Sequence, residues 1–236
     1  MPRGSTSKEK FKTKHGVFDN FTNATLYKLI SRGFFEGMES PISIGKESNV
    51  FSAIRKDNSK AIIKIYRLET CDFNRMYSYI QSDPRYPRIK KSRRKIIFNW
   101  AQREYRNLLR AREASVPVPT PYGIVNNVFV MEFIGTKQVA PKLKDLPPEN
   151  PKKFFNNIID NMIKLHKTKL VHGDLSPFNI LNFKESPVFI DFSQGTTTDH
   201  PNVEEYLKRD IKNITVFFRK QGLTISDENI YKKITK

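Results

Sequence analysis

Asp174, Asn179 and Asp191 are the side chains whose types and spacing promise chemistry. They lie in Leu170-Val-His172-Gly-Asp174-Leu-Ser-Pro-Phe-Asn179-Ile-Leu181, followed by Val188-Phe-Ile-Asp191-Phe-Ser193. Two carboxylates and one carboxamide on short loops beside apolar runs suit phosphoryl transfer. One carboxylate orients the attacking group and accepts its proton, while the other and the amide hold magnesium against nucleotide phosphates. A lone D-x-x-x-x-N occurs often by chance. A preceding His-x-Asp, flanking apolar runs and a second Asp at a strand end give it weight. The competing reading makes Asp174 and Asn179 turn formers and Asp191 a helix cap.

Other residues fit the same chemistry. Lys64 lies in Ala61-Ile-Ile-Lys-Ile-Tyr66. Strand alternation sends Ile63 and Ile65 to one face and Lys64 to the other, with Ile62 and Tyr66. A lysine among apolar neighbours suits phosphate neutralisation; a lysine on a wet strand edge is the alternative. Glu104 stands between Ala101 and Leu108 at i−3 and i+4, beside an apolar helix stripe. A carboxylate there is costly unless paired, and Lys64 is its natural partner. The segment from Ser43 to Val50, with Gly45, Lys46 and Glu47, lies between two strands, where its N–H groups would cover phosphates. Glu132 and Ile134 end a strand and enter a connection. Their backbone groups suit an adenine edge, and a plain strand terminus is the equal alternative. His166 and His172 read as structural.

The elements that must position these residues follow from pattern. Thr22 or Asn23 caps a short helix through Ile30, closed by Gly33. Strands are expected at 42–44, 50–54 and 61–66, the last two a hairpin around Lys56–Lys60. Asp83–Lys95 reads as a basic, proline-containing loop and 96–113 as a helix with Ala101, Tyr105, Leu108 and Leu109 on one face. A hairpin turns at Asn126-Asn127. Gly135–Asn150 is a connection, Pro151 opens a helix with a stripe of Phe154, Phe155, Ile158, Ile159, Met162 and Ile163, Pro201 opens another that Gly222 stops, and 226–236 forms a last helix. Strands first and helices later give an α+β layout with a cleft between two lobes. The divisions are a basic flexible tail at 1–16, an N-terminal helix and strand-rich lobe at 17–135, and a helical lobe at 136–236.

Composition bounds the class. The chain has 236 residues, 18 of them Phe, and a formal charge of +18. The apolar content supports a core. The charge favours polyanionic partners such as RNA, or else a lysine-rich solvated surface. The single cysteine, Cys71, forms no internal disulfide and fits a reducing compartment. No apolar run reaches membrane-spanning length and Met1–Gly16 lacks a signal core, so a soluble, cytoplasmic protein is expected.

These motifs resemble the RIO family of atypical protein kinases, in its type-one subfamily. The matching segments are Ser43–Val50, Ile63-Lys-Ile-Tyr66, Trp100-Ala-Gln-Arg-Glu-Tyr-Arg-Asn-Leu108, Val130–Gly135, His172–Asn179, Ile190–Gln194 and Asp199-His-Pro201. The resemblance implies a bilobal protein-kinase-like fold with a trimmed C-lobe and an extra N-terminal helix. It implies an ATP- and Mg2+-dependent Ser/Thr kinase or ATPase, with Mn2+ as an alternative ion. Asp174 would be the catalytic Asp, and Asn179 and Asp191 the metal ligands. Asp191 would also be the site of a transient aspartyl-phosphate. Lys64 and Glu104, then Ser43, Lys46 and Glu47, and Glu132 with Ile134 would hold ATP. The family role implied is maturation of the small ribosomal subunit, with pre-ribosomal rRNA as partner. The resemblance implies that the basic loop is mobile and can be autophosphorylated, with Ser78, Ser82 and Ser92 as candidates; its run of cations would also touch RNA or nucleotide phosphate, or else is a solvated charge run. Pro177-Phe178 stands where the family's Glu-Tyr is expected, and Gly173 where ordinary kinases carry Arg. Two alternatives are a small RIO-like kinase of the tRNA-modifying KEOPS complex and a non-catalytic ATP-binding, RNA-associated scaffold. The long basic insertion and Asp199-His-Pro201 weigh against the first, and the complete polar set against the second. Oligomeric state is not legible.

Overall fold

The computed structural model describes residues 18–86, 89 and 91–236. The expected basic tail, and Arg88 and Lys90 of the basic stretch, lie outside the described residues. The chain forms two compact units. The first takes its described residues from Met1–Met76, Lys91–Gln102 and Pro121–Phe133, the second from Tyr77–Lys90, Arg103–Thr120 and Ile134–Lys236.

The first unit is built on an antiparallel sheet of β1 (Gly37–Ile44), β2 (Ser48–Ile54), β3 (Lys60–Tyr66), β4 (Pro121–Val125) and β5 (Val128–Glu132), in the order β1-β2-β3-β5-β4. Local chemistry sets its turns. Asp57 accepts from the Ser59 N–H and hydroxyl between β2 and β3. Asn126, in a left-handed conformation, joins β4 to β5. Helix α1 (Asn20–Ser31) packs Leu26 and Leu29 against Phe51, Ala53, Ile63, Ile65, Val128 and Val130. Ile63 and Ile65 thus share the covered face, as alternation requires. Each such side chain contributes about 1.5–3 kcal/mol of burial. The cap of α1 differs from expectation. It is Asp19, whose carboxylate accepts from Thr22 N at 2.9 Å. Thr22 is drawn inward instead, accepting from the buried Asn127 side chain at 3.0 Å.

Helices α2 (Phe73–Gln81) and α3 (Arg93–Glu113) contribute residues to both units. The sequence reading missed α2, whose buried positions are few. It started α3 three residues late. Ile96, Ile97, Trp100, Ala101, Leu108 and Ala111 form the buried side of α3, while Leu109, expected on that face, is 37% exposed.

The second unit is mostly helical. α4 (Pro151–Lys167) is capped by Asn150, which accepts from Lys153 N, with Pro151 in the first turn. Phe154 and Phe155 meet Phe218 of α5 (Val203–Arg219), with ring centroids 6.4 and 5.3 Å apart. α5 begins at Val203 after Asn202, two residues beyond the expected Pro201, and ends at Arg219, whose carbonyl accepts from the N–H of Gly222 (φ 88°) in the turn that stops the helix. α6 (Asp227–Thr235) is capped by Ser226 and packs on α4 and α5. Two small antiparallel pairs complete the unit: β6 (Leu170–Val171) with β9 (Thr196–Thr197), and β7 (Ile180–Phe183) with β8 (Ser186–Phe189). Among the described residues, no helix is long and apolar enough to cross a membrane.

Candidate active site

The two strand pairs of the second unit bring the expected polar residues together. In β7 and β8, Ile180 faces Phe189. Asn179 before β7 and Asp191 after β8 therefore leave the hairpin at the same end. Ile190 N donates to Asn179 O at 3.0 Å and closes that end. In β6 and β9, Val171 faces Thr196. The loop from His172 to Asn179 and the segment from Asp191 to Gly195 thus spring from paired strands.

Inside the loop, Asn179 Nδ2 donates to the Asp174 carbonyl at 2.8 Å and to Asp174 Oδ2 at 3.2 Å. With the amide nitrogen turned to Asp174, the oxygen is the atom that could meet a metal ion. His172 ties both aspartate segments. Asp174 N donates to its Nδ1 at 3.3 Å, and Nε2 lies 3.0 Å from Ile190 O. This pattern assigns the proton to Nε2. The ring packs on Phe192, with centroids 4.4 Å apart. His172 is structural, as read from sequence, and it is the joint between the two acidic segments.

Asp191 has φ 61° and ψ 66° and makes no capping bond to the 3-10 turn Phe192–Gln194. It is therefore not a helix cap. Left-handed backbone is uncommon for a non-glycine residue and least costly for Asp and Asn. Gly173 has φ 75°, and a Cβ there would stand 2.9 Å from Gln194 O. Only glycine fits where the loop passes that segment.

The sequence reading missed what holds the loop from beneath. Asp210 of α5 is buried and accepts from Gly173 N at 2.8 Å and Leu175 N at 2.7 Å. Asn213 Nδ2 donates to Leu175 O at 3.1 Å, and Arg209 donates to Gly173 O. Burial pushes the Asp210 carboxyl up to about 8, against the pull of the two N–H donors and Arg209. A signal existed: Asp210 lies on the apolar stripe with Leu207, Ile211 and Ile214, where a carboxylate needs dedicated partners.

The segment after Asp191 is gripped too. Arg103 and Asn107 of α3, with Arg85, direct their donors at the carbonyls of Phe192, Gln194 and Gly195. Asp83 pairs with both arginines, at 2.6 Å from Arg85 Nη2 and 3.3 Å from Arg103 Nη2. Burial would raise the Asp83 carboxyl, but Arg85 and Arg103 hold it below its ordinary value. Burial lowers Arg103 to about 10. The basic stretch is therefore not wholly a solvated or RNA-facing run. Of the serines considered for phosphorylation, Ser82 has its hydroxyl 2.9 Å from His200 Nε2.

The remaining expected residues fall in both units. In the first, Lys64 pairs with Val50 and Phe129, is 5% exposed, and lies 5.2 Å from the Tyr66 ring on its own face. Ser43 is in β1, and Lys46 and Glu47 are in the link to β2. That link is tied by its carbonyls: Arg67 N donates to Glu47 O at 2.9 Å and Thr70 Oγ1 to Lys46 O at 3.1 Å. Glu132 ends β5 opposite Ala61. In the second unit, Glu104 of α3 is fully buried. The Ile134 carbonyl accepts from Ala140 N at 2.9 Å, so its N–H is the main-chain group that could meet a ligand.

Among the described residues, no cluster of three or more His, Cys, Asp or Glu could hold a metal alone. One carboxylate and one carboxamide oxygen instead suit magnesium, a hard ion that completes its shell with water and phosphate oxygens.

The chain is similar to several known proteins. The RIO domain family model matches residues 49–230. The RIO-type serine/threonine-protein kinase Rio1 of Methanocaldococcus jannaschii is 43% identical over 229 residues, covering 96% of this chain and 78% of that protein. Its namesake in Haloferax volcanii is 39% identical over 228 residues, covering 96% and 79%. Among solved structures, the Rio2 kinase of Chaetomium thermophilum matches with TM-score 0.72 and 25% identity. Its ADP/Mg2+-phosphoaspartate complex matches with TM-score 0.69. In each case the match covers 89% of this chain, which spans 65% of the Rio2 chain.

Proposed function

Because the chain belongs to the RIO-type serine/threonine-protein kinase family, we propose that it transfers the γ-phosphoryl group of ATP through Asp174, Asn179 and Asp191. The observation that carries this reading is the meeting of the three residues at the ends of β6/β9 and β7/β8. Magnesium bound with ATP supplies positive charge against the phosphates, and Asn179 Oδ1 with the Asp191 carboxylate would hold it. Asp174 orients the attacking hydroxyl or water and takes its proton as the new O–P bond forms. The bond from the γ-phosphorus to its bridging oxygen breaks, and ADP leaves with the electron pair. Lys64, oriented by Glu104, would neutralise phosphate charge. Ser43, Lys46 and Glu47 would cover the phosphates, and the Glu132 carbonyl and Ile134 N–H would take the adenine edge.

A second reading concerns the acceptor. The Rio2 relative was solved as a phosphoaspartate complex. On that ground Asp191 is also the residue proposed to take the phosphoryl group transiently, with water releasing it. Small-subunit maturation is the biological setting that the family resemblance suggests, and the +18 charge suits an rRNA-bound partner.

The test is incubation with γ-labelled ATP and Mg2+. Wild type is expected to release phosphate and label itself, with an acyl-phosphate fraction labile to hydroxylamine. Asp174→Ala should lose turnover by roughly a hundredfold or more, and Asp191→Asn should lose both turnover and the labile label. Unchanged turnover in both variants would remove the assigned site.

A further inference from the structure

Asp191 holds an uncommon backbone conformation at the centre of the proposed site, and such a conformation persists only where its surroundings over-determine it. The determinants lie downstream of it. The Gly195 carbonyl receives Asn107 Nδ2 at 2.7 Å, Arg85 Nη2 at 3.0 Å and Arg103 Nε at 3.1 Å. The Gln194 carbonyl receives Arg103 Nη2 at 3.2 Å, and the Phe192 carbonyl receives Asn107 Nδ2 at 2.9 Å. These oxygens crowd the end of a 3-10 turn, where carbonyls gather partial negative charge. Two guanidiniums and an amide are matched to that end. A Cβ on residue 195 would stand 2.8 Å from Asn107 Nδ2, so glycine lets the amide reach the main chain.

Asp83 makes the arrangement affordable in a buried place. Its carboxylate meets Arg85 along two edges and also faces Arg103. Thr196 Oγ1 points at the same carboxylate from 3.4 Å. We propose that Asp83, Arg85, Arg103 and Asn107 form a clamp on the carbonyls of residues 192–195 that positions Asp191 for its ion. A carboxylate between two guanidiniums orders this segment as a phosphate group orders loops elsewhere. These are positioning residues, acting on the ion through Asp191, and the proposal rests on Asp191 being a metal ligand.

Arg85 is the member to remove, because its side chain is 22% exposed and Asp83 keeps Arg103 without it. ATP affinity is measured by calorimetry in Mg2+ and in EDTA, beside hydrogen exchange at residues 192–197, for wild type, Arg85→Ala, Arg85→Lys, Asn107→Ala and Asp191→Asn. Urea midpoints confirm that each variant is folded. In Arg85→Ala and Asn107→Ala the gain in affinity from Mg2+ should shrink by roughly tenfold, the lower edge of losses from removing a partner behind a metal ligand. Affinity in EDTA should be unchanged and exchange at 192–197 faster, with Arg85→Lys recovering part of both. Wild-type exchange in the two alanine variants would overturn the clamp. Faster exchange with an undiminished Mg2+ gain would overturn its positioning role. If wild type showed no Mg2+ gain, or Asp191→Asn kept it, the phosphotransfer reading would fail and the positioning role with it. A failure of the clamp alone leaves Asp191→Asn sensitive.

Discussion

Asp210→Asn probes whether burial or hydrogen bonding governs the carboxyl beneath the loop. In the folded chain this group titrates at about 8, and its ordinary value is 3.8. Between those values the unfolded chain has given up a proton that the folded chain keeps. Stability therefore falls as pH rises through that window and levels off above it. At roughly 1.4 kcal/mol per unit, the whole gap corresponds to about 6 kcal/mol. The part falling between about pH 5 and pH 8 is about 3–4 kcal/mol.

Asparagine removes the titration and keeps one oxygen. That oxygen serves either Gly173 N or Leu175 N, and the amide nitrogen confronts the other. One buried donor is left without an acceptor, at a cost of about 1–3 kcal/mol. The variant should be the less stable protein near pH 5 and should equal or exceed wild type near pH 8. Urea unfolding followed by far-ultraviolet circular dichroism, at matched ionic strength across this range, measures the difference. Contributions from other titrating groups are common to both proteins and cancel. A difference that stays flat from pH 5 to pH 8 would refute the reasoning. It would mean that the two N–H donors and Arg209 keep the carboxylate ionised against its burial.

Two further outcomes follow from the geometry. Gly173→Ala forces a left-handed alanine, worth about 1–2 kcal/mol, and sets its Cβ 2.9 Å from the Gln194 main-chain oxygen; phosphate release from ATP should fall at least roughly tenfold while the chain stays folded by circular dichroism. Asn127→Ala removes two buried donations, to Thr22 Oγ1 at 3.0 Å and to Tyr66 O at 2.9 Å; the loss should be about 2–4 kcal/mol in urea unfolding, and Asn127→Asp should not rescue it, because a carboxylate has no proton to donate.

Local chemistry was legible in the sequence and long-range pairing was not. Alternation in Ala61–Tyr66 placed Ile63 and Ile65 on the covered face. Pro151 and Gly222 marked helix ends, and Asn126 marked a turn, because each acts on its own backbone. β6 and β9 are two residues long, too short for any periodicity, and they pair across more than twenty intervening positions. α2 escaped because Met76 and Ile80 are almost its whole buried face. The cap of α1 was misread because Thr22, a good cap by type, is claimed by Asn127 from another part of the chain. In the candidate site, the coming together of Asp174, Asn179 and Asp191 was legible because their spacing is short and flanked by strands. Asp210, Arg85 and Asn107 were not, because their partners are main-chain atoms, which the residue letters do not mark.

The same point limits what the charge count says about partners. The stretch from Asp83 to Arg112 looked like a cationic surface from its letters. Arg85 and Arg103 spend their guanidiniums on the carbonyls after Asp191. Arg93 caps Leu68 O and Cys71 O, and Arg110 reaches Thr168 O. What is left facing solvent includes Lys91, Lys95, Arg106 and Arg112. Among the described residues of this stretch, a contact with a nucleic-acid backbone would be sought at these exposed cations, since phosphate neutralisation needs a cation at the surface. Arg85 and Arg103 hold the main chain after Asp191, so in a binding assay of an Arg85 or Arg103 variant a loss of affinity would not by itself report a lost phosphate contact.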